Sequence, residues 1–422
     1  MSMIDSLLKN ADPVVASVLD KALSAKDISV DEAVELLDST GLELNLSVMV
    51  ADELRKRTVG DYATYVVNRN INFTNVCIKQ CGFCAFSRDF REEEEGYFLP
   101  TEEIVRRAQE AASLGATEVC IQAGLPPKMD GHIYIDICKA VKKELPDIHI
   151  HAFSPEEVIY GAVRSETPVP EYLKMLKEAG VGSLPGTAAE ILDQSLRDMI
   201  SPGRISVKDW IRVIKQAHAL RIPTTSTIMY GHVETSRHKA EHIDLLRNIQ
   251  KETHGFTEFV PLSFVHTEAP MYNHKTVHGI RPGADGNEVV KMHAVARIML
   301  NNHIPNIQVS WVKEGARMSQ LLLAAGVNDF GGTLINESIS TAAGAQHGQL
   351  LRPKEIRQLI RAAGRTPVQR STTYRTLKVF VDENKDPESS LDSIDSSQFG
   401  SYKQLIKLDK FRYKDAKSNR SI

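Results

Sequence analysis

The sequence lacks the features that mark several common protein classes. It has no unbroken apolar run of the roughly 18 residues that a bilayer-spanning helix needs. Its first residues carry no basic segment followed by a long apolar stretch, so no secretory leader is expected and the expected location is cytoplasmic. Neither sign of charge dominates: 51 Lys and Arg stand against 54 Asp and Glu, for a formal net charge of -3. That balance argues against nucleic acid or an anionic membrane as a partner. Cysteine is scarce. Five occur in 422 residues, an odd number, and three of them fall between positions 77 and 84, which is not the layout of a secreted disulfide framework. No Gly-rich dinucleotide loop follows an early strand, which weighs against a doubly wound sheet.

What is present reads as an α/β protein. Residues 1–65 are helical in pattern, an N-terminal extension in which Val30, Ala33, Val34 and Leu37 share a face and Ser29 with Glu32 forms a capping box. From residue 66 onward, short β-branched runs alternate with helical patterns. Strands are expected at 71–76, 117–122, 147–152, 181–184, 223–229, 257–263, 306–312 and 326–330. Helices are expected after Thr101, after Ser206 with Asp209, and over 288–301. Eight strands separated by helices predict a parallel (β/α)8 TIM barrel over 66–375. Residues 376–422 are rich in Ser, Asp and Lys and read as a flexible linker and C-terminal tail. The acidic run between Arg91 and Gly96 reads as a solvated turn. Cys120 and Cys138 sit in apolar segments and read as small buried hydrophobes.

Polar residues and glycines gather just after the expected strands, where a barrel keeps its chemistry. They include Gln122-Ala123-Gly124, His151 with Glu156, Tyr230 with His232, His266, and Asn328-Asp329. The strongest local pattern is Cys77-Ile-Lys-Gln-Cys81-Gly-Phe-Cys84. Three thiolates on one loop select zinc, copper(I) or an iron–sulfur cluster. Structural zinc wants a fourth ligand nearby, and residues 85–89 supply no obvious one. A [4Fe–4S] cluster held by three cysteines leaves one iron open to a cofactor. Gly82 permits the tight wrap, and Phe83 offers an aromatic wall beside that cofactor.

A CxxxCxxC loop after the first barrel strand resembles that of the radical S-adenosylmethionine enzymes. The resemblance extends further. Asn68–Asn75, Glu118–Gly124, His149–Glu156, Leu184–Leu192, Thr227–His232, Glu258–Phe264, Ile304–Gln308 and Asn328–Thr333 together resemble the second-subunit family of the FO synthase system, the 4-hydroxyphenyl transferases. That resemblance implies a radical S-adenosylmethionine barrel that joins the 4-hydroxybenzyl group of L-tyrosine to 5-amino-6-(D-ribitylamino)uracil on the way to the deazaflavin FO and coenzyme F420. It implies a [4Fe–4S] cluster on Cys77, Cys81 and Cys84, with S-adenosylmethionine held by Phe83, Gln122, Ala123, Gly124 and Glu190. The 122–124 loop is expected to offer backbone donors to the cofactor's amino-acid end. His151, Glu156, His232 and His266 are expected at the chemistry, and Tyr230, Asn328 and Asp329 at the substrates. A low-potential electron donor and a companion radical enzyme that closes the ring are the implied partners. One cysteine motif matches a stand-alone transferase. Two menaquinone-pathway enzymes, aminofutalosine synthase and the dehypoxanthine futalosine cyclase, share the motif's surroundings. A non-enzymatic iron–sulfur or zinc protein is the alternative of another class.

Overall fold

The computed structural model describes residues 3–91 and 95–414. Among them ten strands form: β1 (Tyr62–Val66), β2 (Asn68–Ile71), β3 (Glu118–Ile121), β4 (His149–His151), β5 (Val181–Ser183), β6 (Thr224–Tyr230), β7 (Phe256–Ser263), β8 (Asp329–Gly332), β9 (Thr366–Arg370) and β10 (Thr376–Val379). Continuous ladders run β10-β9-β1-β8, β2-β3-β4-β5 and β6-β7. Single parallel bridges join them: Leu184 to Thr224, Phe259 to Ile307, Gln308 to Asp329, and Arg69 to Ile335. The ring therefore closes with β1 and β2 as one kinked stave and residues 307–308 as the seventh. Every pairing around it is parallel; β10 alone runs antiparallel, against β9. The structure is the expected eight-stave parallel barrel.

Three strand boundaries differ from expectation. The first stave is 62–71 rather than 71–76, because side chains beyond Ile71 take the backbone away from the sheet. Asn72 Nδ2 donates to Gln122 O at 2.9 Å and Thr74 Oγ1 to Tyr97 O at 2.7 Å. The seventh is cut short at Gln308, since a helix, Trp311–Leu322, starts where 306–312 was expected to continue. The eighth is shifted C-terminally, so Asn328 and Asp329 stand at its start.

Helices sheathe the ring. Thr101–Ser113, Val207–Ala219 and Gly286–Leu300 appear where sequence periodicity places them, with Ser206 accepting from Asp209 N. The capping box of Ser29 and Glu32 starts the helix Val30–Asp38. With Gly41–Val59 it packs on Ser236–Thr253 and Gly286–Leu300. Asp27 ties this collar to the barrel through Lys251 at 2.6 Å and His303 at 2.9 Å.

Residues 376–414 are not a free linker. β10 extends the sheet, and Asp386 pairs with Arg357 at 2.7 Å and Arg361 at 2.8 Å. Leu391 and Phe411 are buried. The sparse apolar residues of the segment are spaced to reach the barrel's surface, which composition alone conceals. Glu92, Glu93 and Glu94 of the acidic run, and residues 415–422 of the tail, lie outside the described residues.

Candidate active site

After β2 the chain crosses the C-terminal mouth of the barrel and forms the cysteine loop. Neighbouring backbone fixes the loop in place. Cys77 N donates to Arg88 O at 3.0 Å, Ile78 N to Leu125 O at 2.9 Å, and Gly82 N to Ile200 O at 2.9 Å. A Cβ at Gly82 would sit 2.9 Å from Met271 Cβ and 3.2 Å from Ile200 O, so the wrap requires glycine. Among the described residues no three His, Cys, Asp or Glu side chains meet at single-ion distances. Cys77, Cys81 and Cys84 instead line a shared cavity of about 420 Å3 in the barrel.

A guanidinium backs the thiols. Arg204 Nη1 lies 3.1 Å from Cys81 Sγ and its guanidinium 5.6 Å from the Phe83 ring centroid. Lys79 Nζ pairs with Glu156 at 3.2 Å. Burial pushes the Cys81 thiol up to about 12, against the pull of Arg204. Burial raises Cys77 as well. Such thiols ionise when a metal replaces the proton. Three soft sulfur donors on one loop, facing a cavity and backed by the Arg204 guanidinium, fit an iron–sulfur cluster with one open iron.

Beside them lies an ion network that sequence reading resolved only in part. Glu190, in the left-handed region at φ 41°, pairs with Arg197 at 3.0 Å and Arg204 at 3.4 Å. Glu156 accepts from Ile205 N at 2.7 Å and lies 3.6 Å from Arg204. Arg204 itself was missed; it reaches the cysteines from more than a hundred residues downstream, and nothing local marks it. Glu157 was also missed, although Ser154 followed three residues later by Glu157 is a legible capping box. Its Oε2 accepts from Ser154 N at 2.8 Å, and its Oε1 accepts from Ala123 N at 2.9 Å. Burial raises Glu157 to about 7 despite those donors.

The 122–124 loop lines the cavity, but its donors differ from expectation. Ala123 N is committed to Glu157, and Gly124 N donates to Thr74 O at 2.9 Å. Gln122 Oε1 accepts from Thr187 Oγ1 at 2.8 Å. A Cβ on Gly124 would lie 2.3 Å from Val76 O, so this turn packs directly on the cysteine loop.

Deeper in, the lumen is polar. His151 Nδ1 is 2.7 Å from Ser183 Oγ, and burial lowers its imidazole to about 4, against the pull of Glu118. From below, Arg370 at the end of β9 reaches Asp329 at 2.9 Å and Glu258 at 3.4 Å. Burial also raises Glu258, which accepts from the Tyr374 hydroxyl.

Five expected residues do not reach the cavity. Met229 lines it, so strand alternation turns Tyr230 outward into the core, fully buried with no hydrogen-bond partner on its hydroxyl. His232 is fully buried, with Nε2 3.0 Å from Met229 O. His266 packs edge-on against Tyr272, ring centroids 4.6 Å apart. Asn328 and Asp329 stand at the start of β8, the wrong end for a barrel mouth. Asn328 Oδ1 accepts from Arg297 at 2.7 Å and from Ile307 N at 2.9 Å. Asp329 is committed to Arg370, Thr64 and Gly331 N.

Solved structures share this architecture. Methylornithine synthase (PylB) superposes with a TM-score of 0.64 at 19% identity, covering 83% of this chain and 97% of that one. The hydrogenase maturase HydG of Carboxydothermus hydrogenoformans superposes at 0.66 with 16% identity, covering 88% and 83%. Residues 71–246 match the family model of the radical SAM superfamily. The three-thiol loop at the mouth of the barrel, with these matches, defines a radical S-adenosylmethionine enzyme. Residues 253–382 match the CofH/MqnC C-terminal region. The 5-amino-6-(D-ribitylamino)uracil--L-tyrosine 4-hydroxyphenyl transferase of Methanothermobacter thermautotrophicus is 48% identical over 361 residues, 86% of this chain and 97% of that protein. Its counterpart in Methanocaldococcus jannaschii is 50% identical over 356 residues, 84% and 98%. This chain belongs to the 4-hydroxyphenyl transferase family.

Proposed function

We propose that this chain joins the 4-hydroxybenzyl group of L-tyrosine to 5-amino-6-(D-ribitylamino)uracil, releasing 2-iminoacetate, methionine and 5′-deoxyadenosine, in FO and coenzyme F420 biosynthesis. The observation that carries this reading is the 48–50% identity that spans nearly the whole length of the transferases. Cys77, Cys81 and Cys84 would hold the cluster. When bound, the cluster and S-adenosylmethionine supply a reductively generated, carbon-centred hydrogen-atom abstractor.

The chain's own residues do the rest. Glu157 locks the 122–124 turn against the cysteine loop and so sets one wall of the cofactor site. Glu156 and Glu190 hold Arg204 against Cys81, fixing positive charge beside the cluster. Phe83, over which that guanidinium lies, forms an aromatic wall. Below, the neutral imidazole of His151 and the carboxylates of Glu118 and Glu258 present donors and acceptors suited to a ribityl chain and a uracil. The apolar wall of Met229, Val260, Leu262 and Phe264 suits a phenol ring and excludes water from the radical path. A low-potential electron donor and a companion radical enzyme that closes the deazaflavin ring belong to the same proposal.

Mass analysis of the products tests it. Anaerobically reconstituted protein, given reductant, S-adenosylmethionine, L-tyrosine and the ribitylaminouracil, should yield the coupled adduct, and omitting either substrate should abolish it. Because one matched family model also covers MqnC proteins, futalosine-type substrates form the control arm. Their consumption without the adduct would replace this reading with a menaquinone-pathway one. A colourless zinc protein that forms no 5′-deoxyadenosine would remove the radical chemistry altogether.

A further inference from the structure

Four cations line the barrel cavity: Lys79, Arg204, Lys313 and Arg370. Three are committed. Lys79 pairs with Glu156 at 3.2 Å, Arg204 with Glu190 at 3.4 Å, and Arg370 with Asp329 and Glu258 at 2.9 and 3.4 Å. Lys313 differs. Among the described residues its ammonium has no hydrogen-bond acceptor and no carboxylate within 4.0 Å. Glu337 and Glu314 act on it only at longer range. Glu337 is already engaged, accepting from Ser340 N at 2.9 Å and Thr341 N at 3.3 Å.

Lys313 is half-buried in the cavity wall, so its unpaired cation keeps only part of its hydration, and a ligand that brings the anion makes good the loss. Lys313 lies in the first turn of Trp311–Leu322, just beyond the seventh stave and so at the catalytic mouth. Trp311, Val312 and Leu334 line the cavity around the same pair of staves. A second cavity-lining group is also unmet: Asn70 Oδ1 is buried and has no hydrogen-bond partner. An unpaired ammonium and an unpaired carbonyl oxygen are together the complement of an α-amino acid, whose carboxylate needs a cation and whose ammonium needs an acceptor.

We infer that Lys313 is the anchor for the α-carboxylate of the amino-acid substrate. This inference rests on the tyrosine-transferring reading above. S-adenosylmethionine also carries an α-carboxylate, and the experiment separates the two sources. Wild-type, Lys313→Met and Lys313→Arg proteins are reconstituted and assayed with L-tyrosine and with L-tyrosinamide, which lacks the anionic group. In Lys313→Met the KM for L-tyrosine should rise about ten- to hundred-fold, the range expected for a charge-assisted hydrogen bond. The KM for S-adenosylmethionine and the iron content should stay at wild-type values. Wild type should prefer L-tyrosine to the amide by a similar factor, Lys313→Arg should keep most of that preference, and Lys313→Met should lose it. An unchanged preference in Lys313→Met overturns the assignment, as does a rise confined to the S-adenosylmethionine KM. If Lys313→Met does not fold, a wild type indifferent to the amide still overturns it. Adduct formation by wild type with an unaltered variant sinks the anchor alone, whereas no adduct from wild type at any tyrosine concentration sinks both readings.

Discussion

At the scale of the residue, position within a strand separates a site residue from a structural one. Asn328 is the clearest case. Asn-Asp before Gly-Gly looks like a substrate loop in sequence, yet Asn328 satisfies the buried guanidinium of Arg297 and the amide of Ile307. Asn328→Ala should therefore cost about 2–3 kcal/mol, the range for a lost bond to a buried charged group, and lower the thermal midpoint. The KM values for both substrates should stay unchanged; a raised KM at wild-type stability would restore the substrate role. His293 tests burial in the same way. Its Nδ1 is 2.8 Å from Val289 O, its Nε2 has no partner, and burial lowers it from 6.5 to about 4. The folded-state value lies below the unfolded one, so the unfolded chain takes the proton first. The stability this residue contributes is present above pH 6.5 and is lost as pH falls toward 4. Relative to wild type, His293→Met should gain stability as pH drops from 7 to 5, by up to about 1.4 kcal/mol per pH unit below 6.5. A stability difference that does not change with pH would show that His293 titrates normally.

At the scale of the element, the C-terminal segment carries the main departure from expectation. It reads as solvated in composition, yet it straps the flank of the cysteine loop. Phe98 N donates to Phe411 O at 2.7 Å and Tyr413 N to Gly96 O at 2.8 Å. Leu405 and Phe411 pack with the core that contains Phe73, Phe86 and Tyr97. The match to the Methanothermobacter transferase leaves 14% of this chain outside the aligned region, so part of this chain is additional to the shared enzyme. Deleting residues 400–422 should leave the barrel folded, with an unchanged far-ultraviolet spectrum. Burial worth roughly 1.5–3 kcal/mol per large apolar side chain is lost beside the loop, so its local opening becomes easier. Iron should then pass to a chelator at least about tenfold faster. Equal release rates would mean that the strap does not brace the cluster site.

At the scale of the whole molecule, what was legible in the sequence is what short-range chemistry dictates. The alternation of β-branched and amphipathic segments determined a parallel barrel, because two periodicities repeated along the chain admit few other packings. The spacing of Cys77, Cys81 and Cys84 determined a three-thiol centre, because one loop carries all three. Capping boxes at Ser29 and Ser154 are local and equally legible. What only the tertiary structure decided depends on residues far apart in the chain. Alternation along β6 decides which side chains face the lumen, so Met229 lines the cavity while Tyr230, expected there, turns into the core. The ends of β8 decided that Asn328 and Asp329 brace the bottom of the barrel. Arg204 joined the cysteines from across the mouth, and Arg370 closed the lumen from below. The unpaired state of Lys313 is a property of the whole cavity, since it depends on where every other charge has found its partner.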